Sequence, residues 1–183
     1  MKNLIRIFFL LIIVGSAVSI YTSCSDENDC SMAGRPMMYC TFKTTNPDYD
    51  NAVENDTLDS LTVRAFGTDS IILNNEKDVH TVMLPLRYTN DSTVFIFQYD
   101  PVRDPKDADT VYITQENTPY FQSMECGYMM KQNIISINAT YKNPNSTEQI
   151  ESIDLRNKEA NSNEIENLQI FFKYRDRNPE TTN

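Results

Sequence analysis

Ile135-Ser136-Ile137-Asn138-Ala139-Thr140-Tyr141 places an apolar side chain at every odd position and a polar one at every even position. Successive side chains on a strand point to opposite faces, so this period of two predicts a β-strand with one buried face and one wet face. Antiparallel sheets allow that arrangement, whereas parallel sheets are covered on both sides.

The same pattern spreads outward from this stretch. Toward the N-terminus, Val111 and Ile113 begin a strand that residues 120–124 extend, and Phe95, Phe97 and Tyr99 share a face after an Asn90-Asp91 turn. Val82, Leu84, Leu86 and Tyr88 form another face. Ile71, Ile72 and Leu73 follow the turn at Gly67-Thr68-Asp69-Ser70. Leu61, Val63 and Ala65 alternate with Thr62 and Arg64, while Pro36, Met38, Cys40 and Phe42 lie opposite Thr41 and Lys43. Toward the C-terminus, Ile150, Ile153 and Leu155 are less regular, and Leu168, Ile170, Phe172 and Tyr174 close the series. Roughly eight to ten short strands without an amphipathic helix predict an all-β fold, an antiparallel β-sandwich of immunoglobulin-like or related type. Residues 159–166 read as a polar loop.

The 183 residues are 40% hydrophobic, enough for a core rather than a disordered coil. A net charge of −10 argues against a nucleic-acid partner, which calls for a positive footprint. A single histidine argues against a His-rich metal site.

The first residues have a different character. Lys2 and Arg6 precede an almost wholly apolar run over residues 7–18, which contains the small residues Gly15, Ser16 and Ala17. As a helix this run spans about 18 Å at ~1.5 Å per residue, short of the ~30 Å hydrocarbon core, so a signal peptide is expected rather than a membrane span. Tyr21-Thr22-Ser23-Cys24 resembles the bacterial lipobox, with Tyr21 standing where Leu is usual. That resemblance implies cleavage before Cys24 and acylation of its thiol, and two or three acyl chains anchor a protein stably. Ser25-Asp26-Glu27-Asn28-Asp29 is similar to the acidic signal that sends lipoproteins of Bacteroidota to the cell surface. The expected organisation is a signal peptide over 1–23, an acidic tether over 24–35, a β-sandwich over 36–174 and a flexible tail over 175–183. The leader holds Lys2 and Arg6 and no acid, so the remainder carries −12. Such a surface is repelled by anionic headgroups, and attachment must come from the lipid.

Three cysteines remain after Cys24: Cys30, Cys40 and Cys126. An exported compartment is oxidising, so one pair and one free thiol are expected. Cys40 shares the Met38/Phe42 face, where a small buried thiol is ordinary core, which favours pairing Cys30 with Cys126. Cys30 lies six residues from Cys24, so the tether reaches at most about 20 Å at ~3.5 Å per residue.

Asp29-Cys30, residues 34–39 (Gly-Arg-Pro-Met-Met-Tyr), Leu84-Pro85-Leu86 and Cys126-Gly127-Tyr128 together resemble a family of small Bacteroidota lipoproteins of unknown function. The family's recurrent pair, an early Cys and a later Cys-Gly-aromatic, corresponds to Cys30 and Cys126. It implies no activity, substrate or catalytic residue.

Five matches of Asp, a hydroxyl residue and then an aliphatic residue or Thr are similar to an O-glycosylation acceptor motif, with Thr57, Ser60, Ser70, Ser92 and Thr110 as the hydroxyls. The same residue order also closes turns and opens strands. Asp100, Asp104, Asp107 and Asp109 gather on a Pro-containing loop and are weak Ca²⁺ candidates without the glycine and terminal Glu of an EF-hand. No nucleophile elbow, Cys-x-x-Cys or glycine-rich phosphate loop accompanies the lone His80. A non-enzymatic accessory or binding module of the outer membrane is therefore expected. It faces the cell surface, has a protein or glycan partner, and uses no cofactor. The alternative is a glycan-processing or other hydrolase with two carboxylates in a cleft.

Overall fold

The period-two runs resolve into two sheets. The computed structural model describes residues 30, 36–68, 70–99, 107–141, 146, 148–160 and 163–175. In chain order the strands are β1 (Met37–Asn46), β2 (Ala52–Asn55), β3 (Leu58–Ala65), β4 (Ile71–Val79), β5 (Thr81–Pro85), β6 (Ser92–Tyr99), β7 (Ala108–Ser123), β8 (Gly127–Tyr141), β9 (Ile150–Leu155) and β10 (Glu166–Phe172). One sheet runs β4-β3-β6-β7-β8. The other runs β2-β1-β10-β9, with β5 also on β1. Because β5 pairs with β1 over Met37–Thr41 and β2 over Lys43–Asn46, the two short strands lie end to end along one edge of β1. The fold is a β-sandwich. Its pairings are antiparallel except β1 with β10, which is parallel and brings the first and last strands side by side.

Each inner face is the one the alternation predicts. Met38, Cys40 and Phe42 of β1, Phe95, Phe97 and Tyr99 of β6, and Leu168, Ile170 and Phe172 of β10 all join one buried cluster. Phe172 packs edge to face on Phe42 with centroids 5.2 Å apart, and on Tyr99 across the sheets at 5.9 Å. Edge-to-face geometry sets the positive ring edge against the negative face of its neighbour.

Bulges shift the phase at several places. Thr114 opposes Ser136 and Gln115 opposes Ile134, so Ile135 is the extra residue on β8. Ile134 then turns fully into the core, whereas Ile135 is exposed. The expected Ile135/Ile137 face is corrected accordingly: Ile137 and Ala139 pack on the core, but Ile135 does not. On β10, Asn167 is the extra residue, and its buried side chain replaces the interrupted ladder. Its Oδ1 accepts from the Tyr39 amide at 2.9 Å, and its Nδ2 donates to the Asn157 and Glu159 carbonyls. Thr62, expected on the wet face of β3, is buried, and its hydroxyl accepts from the Asn75 amide at 2.9 Å. Tyr88, expected at the end of an inward face, lies beyond β5 and is exposed.

The Ile134/Ile135 pair gives a direct test. Ile134→Val removes a buried methyl group and is expected to cost about 1 kcal/mol. Ile135→Thr is expected to stay within about 0.5 kcal/mol, as exposed substitutions do. Urea titration of both variants checks the bulge, and equal losses would contradict it.

Candidate functional site

β7 pairs with β6 from Ala108 to Thr114, while its ladder with β8 continues to Ser123. Beyond Asn117, past the bridge of Asn133 to Glu159, β7 and β8 therefore form a two-stranded arm of about 20 Å at ~3.3 Å per residue. The departure point is held by buried amides. Gln115 sits in phase with Val111 and Ile113, and its Oε1 accepts from the Thr93 hydroxyl at 2.7 Å. Its Nε2 donates to the carbonyls of Arg87 and Asn90. Asn117 Nδ2 donates to the same two carbonyls at 3.1 and 2.7 Å, and its Oδ1 accepts from Gln132 Nε2 at 3.0 Å. Two side chains of β7 thus suspend the 87–90 turn by its carbonyls.

That suspension shapes a groove of about 790 Å³ between the arm and the start of β1. Met37 and Pro85 form one wall, Pro119 and Met130 the other, with Tyr88 and Tyr128 among the remaining lining residues. Gln132 lines it too, already bonded to Asn117. Among the described residues, the lining holds no carboxylate, imidazole or thiol. A pocket of this kind selects apolar surface and fixes its orientation by a few polar groups.

Cys126 closes the arm's tip. It is bridged to Cys30 with Cα atoms 5.2 Å apart, the pairing expected, and Cys40 is free and buried. Burial, with a smaller contribution from the Glu166 charge, pushes the Cys40 thiol well up, so it stays protonated and inert. Gly127 follows at φ 69°, a left-handed conformation that a side chain would strain.

Acidic residues collect at the opposite end of β7. Asp109 is buried; its Oδ2 accepts from the Tyr99 hydroxyl at 2.9 Å and the Ile150 amide at 2.7 Å. Burial raises the Asp109 carboxyl above its ordinary range, against the lowering effect of those two bonds. Burial and the neighbouring Asp109 push the Tyr99 phenol well up. Asp107 accepts from the Ser146 hydroxyl at 2.8 Å. Arg175 bonds Asp56 and Glu148 at 2.7 Å each, with all three side chains mostly buried. In sequence Arg175 reads as the opening of a flexible tail; these ion pairs hold it in the domain.

The remaining expected site residues separate by environment. Cys24, Asp100 and Asp104 lie outside the described residues. Asp107 and Asp109 accept from the protein's own donors. Among the described residues, no group of three or more His, Cys, Asp and Glu is placed to hold a metal ion. Ser70 and Ser92 are exposed and Thr57 is half-buried. Ser60 and Thr110 are both buried in strands of the folded chain. His80 is exposed between β4 and β5. The groove and its amide braces were not foreseen. The one available signal was Gln115, a polar side chain in phase with an inward apolar face.

Fold and site together define a disulfide-tied β-sandwich with an overhanging arm and an apolar groove beneath it. The chain belongs to a family of unknown function, DUF6452, whose family model matches residues 60–172. The match runs from inside β3 to the last residue of β10 and includes Cys126. No curated protein and no solved structure matches the chain.

Proposed function

We propose that the chain is a Bacteroidota-type lipoprotein, cleaved before Cys24, acylated there and held at the outer membrane facing the cell surface. The sandwich works as a non-enzymatic accessory or binding module that receives an apolar segment of a partner in the groove beneath the arm. The observation that carries this reading is the groove's lining of Met, Pro and Tyr. It offers contact area and adaptable Met side chains but no group able to transfer a proton at neutral pH. A glycan-processing hydrolase needs two carboxylates facing an open cleft. The buried acids described above accept from Tyr99, Ile150, Ser146 and Arg175, at the far end of β7 from the groove.

Photocrosslinking in intact cells tests the binding reading. A crosslinker at Tyr88 is expected to capture one defined partner, one at Tyr49 none, and Met130→Glu is expected to abolish the Tyr88 product. Equal capture from Tyr88 and Tyr49, or capture indifferent to Met130→Glu, would count against the groove. Anchoring is tested separately: Cys24→Ala is expected to leave the membrane fraction and lose the acyl mass. Glycan addition is expected only at the accessible hydroxyls, so Ser70→Ala or Ser92→Ala should remove a glycan's mass from the intact protein. Ser60→Ala and Thr110→Ala should change that mass only by the side-chain atoms exchanged.

A further inference from the structure

The tip of the β7–β8 arm carries large apolar side chains that the core does not use. Met124 is 91% exposed, Tyr128 78% and Phe121 53%. Phe121 and Tyr128 oppose each other across the hairpin and pack edge to face at 5.6 Å. Between Asn117 and Met130 the single charged residue is Glu125, in a chain that is 23% charged. A clustered apolar surface of this kind marks an interaction site rather than scattered surface hydrophobicity.

Two further observations indicate what covers it. The first is continuity of the chain. Cys126 lies within the tip and is bridged to Cys30, and Cys30 lies six positions after Cys24. At ~3.5 Å per residue, a lipid on Cys24 lies within about 20 Å of Cys30, and the bridge puts the tip beside Cys30. The second is charge. The chain beyond the leader carries −12, which headgroups of a negative membrane repel, so a favourable contact must come from a charge-poor patch. Aromatic and Met side chains on a short hairpin suit the boundary between headgroups and acyl chains, where amphipathic rings settle.

We propose that the tip is the domain's membrane seat: Phe121, Met124 and Tyr128 enter the interfacial layer of the bilayer that anchors Cys24. The occupant is a lipid surface, and the inference rests on the acylation of Cys24 proposed above. With the tip seated, the Asp109 end of β7 stands off by up to roughly 50 Å at ~3.3 Å per residue. The groove, which shares Tyr128 with the tip, lies next to the lipid surface.

The chain contains no tryptophan, so Met124→Trp supplies a unique fluorophore at a fully solvated position. Tyr49→Trp is the control, because Tyr49 is exposed and follows the opposite end of β1. The full-length protein, purified from membranes, is reconstituted into phosphatidylcholine vesicles with brominated acyl chains. The expected result is a blue shift and about twofold quenching for the Met124→Trp variant, as for a side chain seated at the acyl boundary. The Tyr49→Trp variant is expected to change little. Phe121→Trp provides a second reporter and is expected to behave like Met124→Trp. Acylated, vesicle-bound protein in which both tip reporters are quenched no more than the control overturns the seat while leaving the anchor intact. A blue shift without lipid quenching means that a second copy of the chain covers the tip, and also overturns the seat. Mature protein lacking an acyl group at Cys24 overturns the anchoring reading, and the seat with it.

Discussion

Replacing Cys126 with serine is expected to lower the unfolding free energy by about 4.7 kcal/mol, the figure that closing a loop of 96 residues gives in the chain-entropy model. The bridge joins Cys30 to the tip of an arm whose neighbours Phe121, Met124 and Tyr128 are exposed, so removing it strips little packing from the folded state. The effect should therefore act mainly through the unfolded chain, which expands once the cross-link is gone. Urea titration separates the two routes. A lower midpoint with a steeper slope signals a more expanded unfolded state, whereas a lower midpoint at constant slope signals lost native contacts. Dithiothreitol should reproduce the serine variant, and Cys40 should stay unreactive until the core opens, because burial holds its thiol protonated. A loss below about 1 kcal/mol would contradict a cross-link that closes so long a loop.

Strands whose two faces differ in polarity were legible. β1, β6 and β10 each bury one alternating set and leave most of the other half-buried, so Met38/Cys40/Phe42, Phe95/Phe97/Tyr99 and Leu168/Ile170/Phe172 could be assigned from spacing alone. One-residue bulges were not legible, because an inserted residue flips the phase without changing composition. Ile134 and Ile135 are both isoleucine, and only the ladder decides which of them turns inward. Polar edges were also hidden. β4 was visible at Ile71 to Leu73, but it continues to Val79 through Glu76, Lys77 and Asp78, with Asn75 and Asp78 at positive φ. Charges and kinks of this kind keep an edge strand from pairing with another chain, and they erase the alternation that would reveal it. β2 is exposed along its whole length and left no pattern. The groove escaped for a different reason: Met37, Pro85 and Met130 are far apart in sequence and meet only after β5 pairs with β1 and the arm folds over. The disulfide pairing needed no such assembly, because the count of thiols and the phase of Cys40 already favoured it.

Arg175→Met is expected to cost roughly 3–5 kcal/mol at neutral pH, the range for removing one partner from a buried ion pair. Arg175 follows β10 and looks in sequence like the start of a charged tail, yet its guanidinium reaches Asp56, 119 positions away, and Glu148, 27 positions away. The side chains of all three are 14% exposed or less, so deleting the cation strands two carboxylates out of reach of much of the water. Arg175→Lys should recover only part of the loss, since a single ammonium cannot present the two separate nitrogens that now bond one acid each. The pH dependence distinguishes this mechanism from a simple packing defect. Burial raises the Glu148 carboxyl above its ordinary value, opposed by the positive charge of Arg175. A carboxyl whose folded pKa exceeds its unfolded one binds more protons in the folded state between those two values, so it stabilises the fold as pH falls through that window. Without Arg175 the folded value climbs further and the window widens upward from 4.5, the ordinary value for Glu. The variant's deficit should therefore shrink steadily as the pH drops from neutral toward that value, while a packing defect would leave it constant. A pH-independent deficit, or one below about 1 kcal/mol at neutral pH, would mean that the two carboxylates are not held apart from water as the geometry requires.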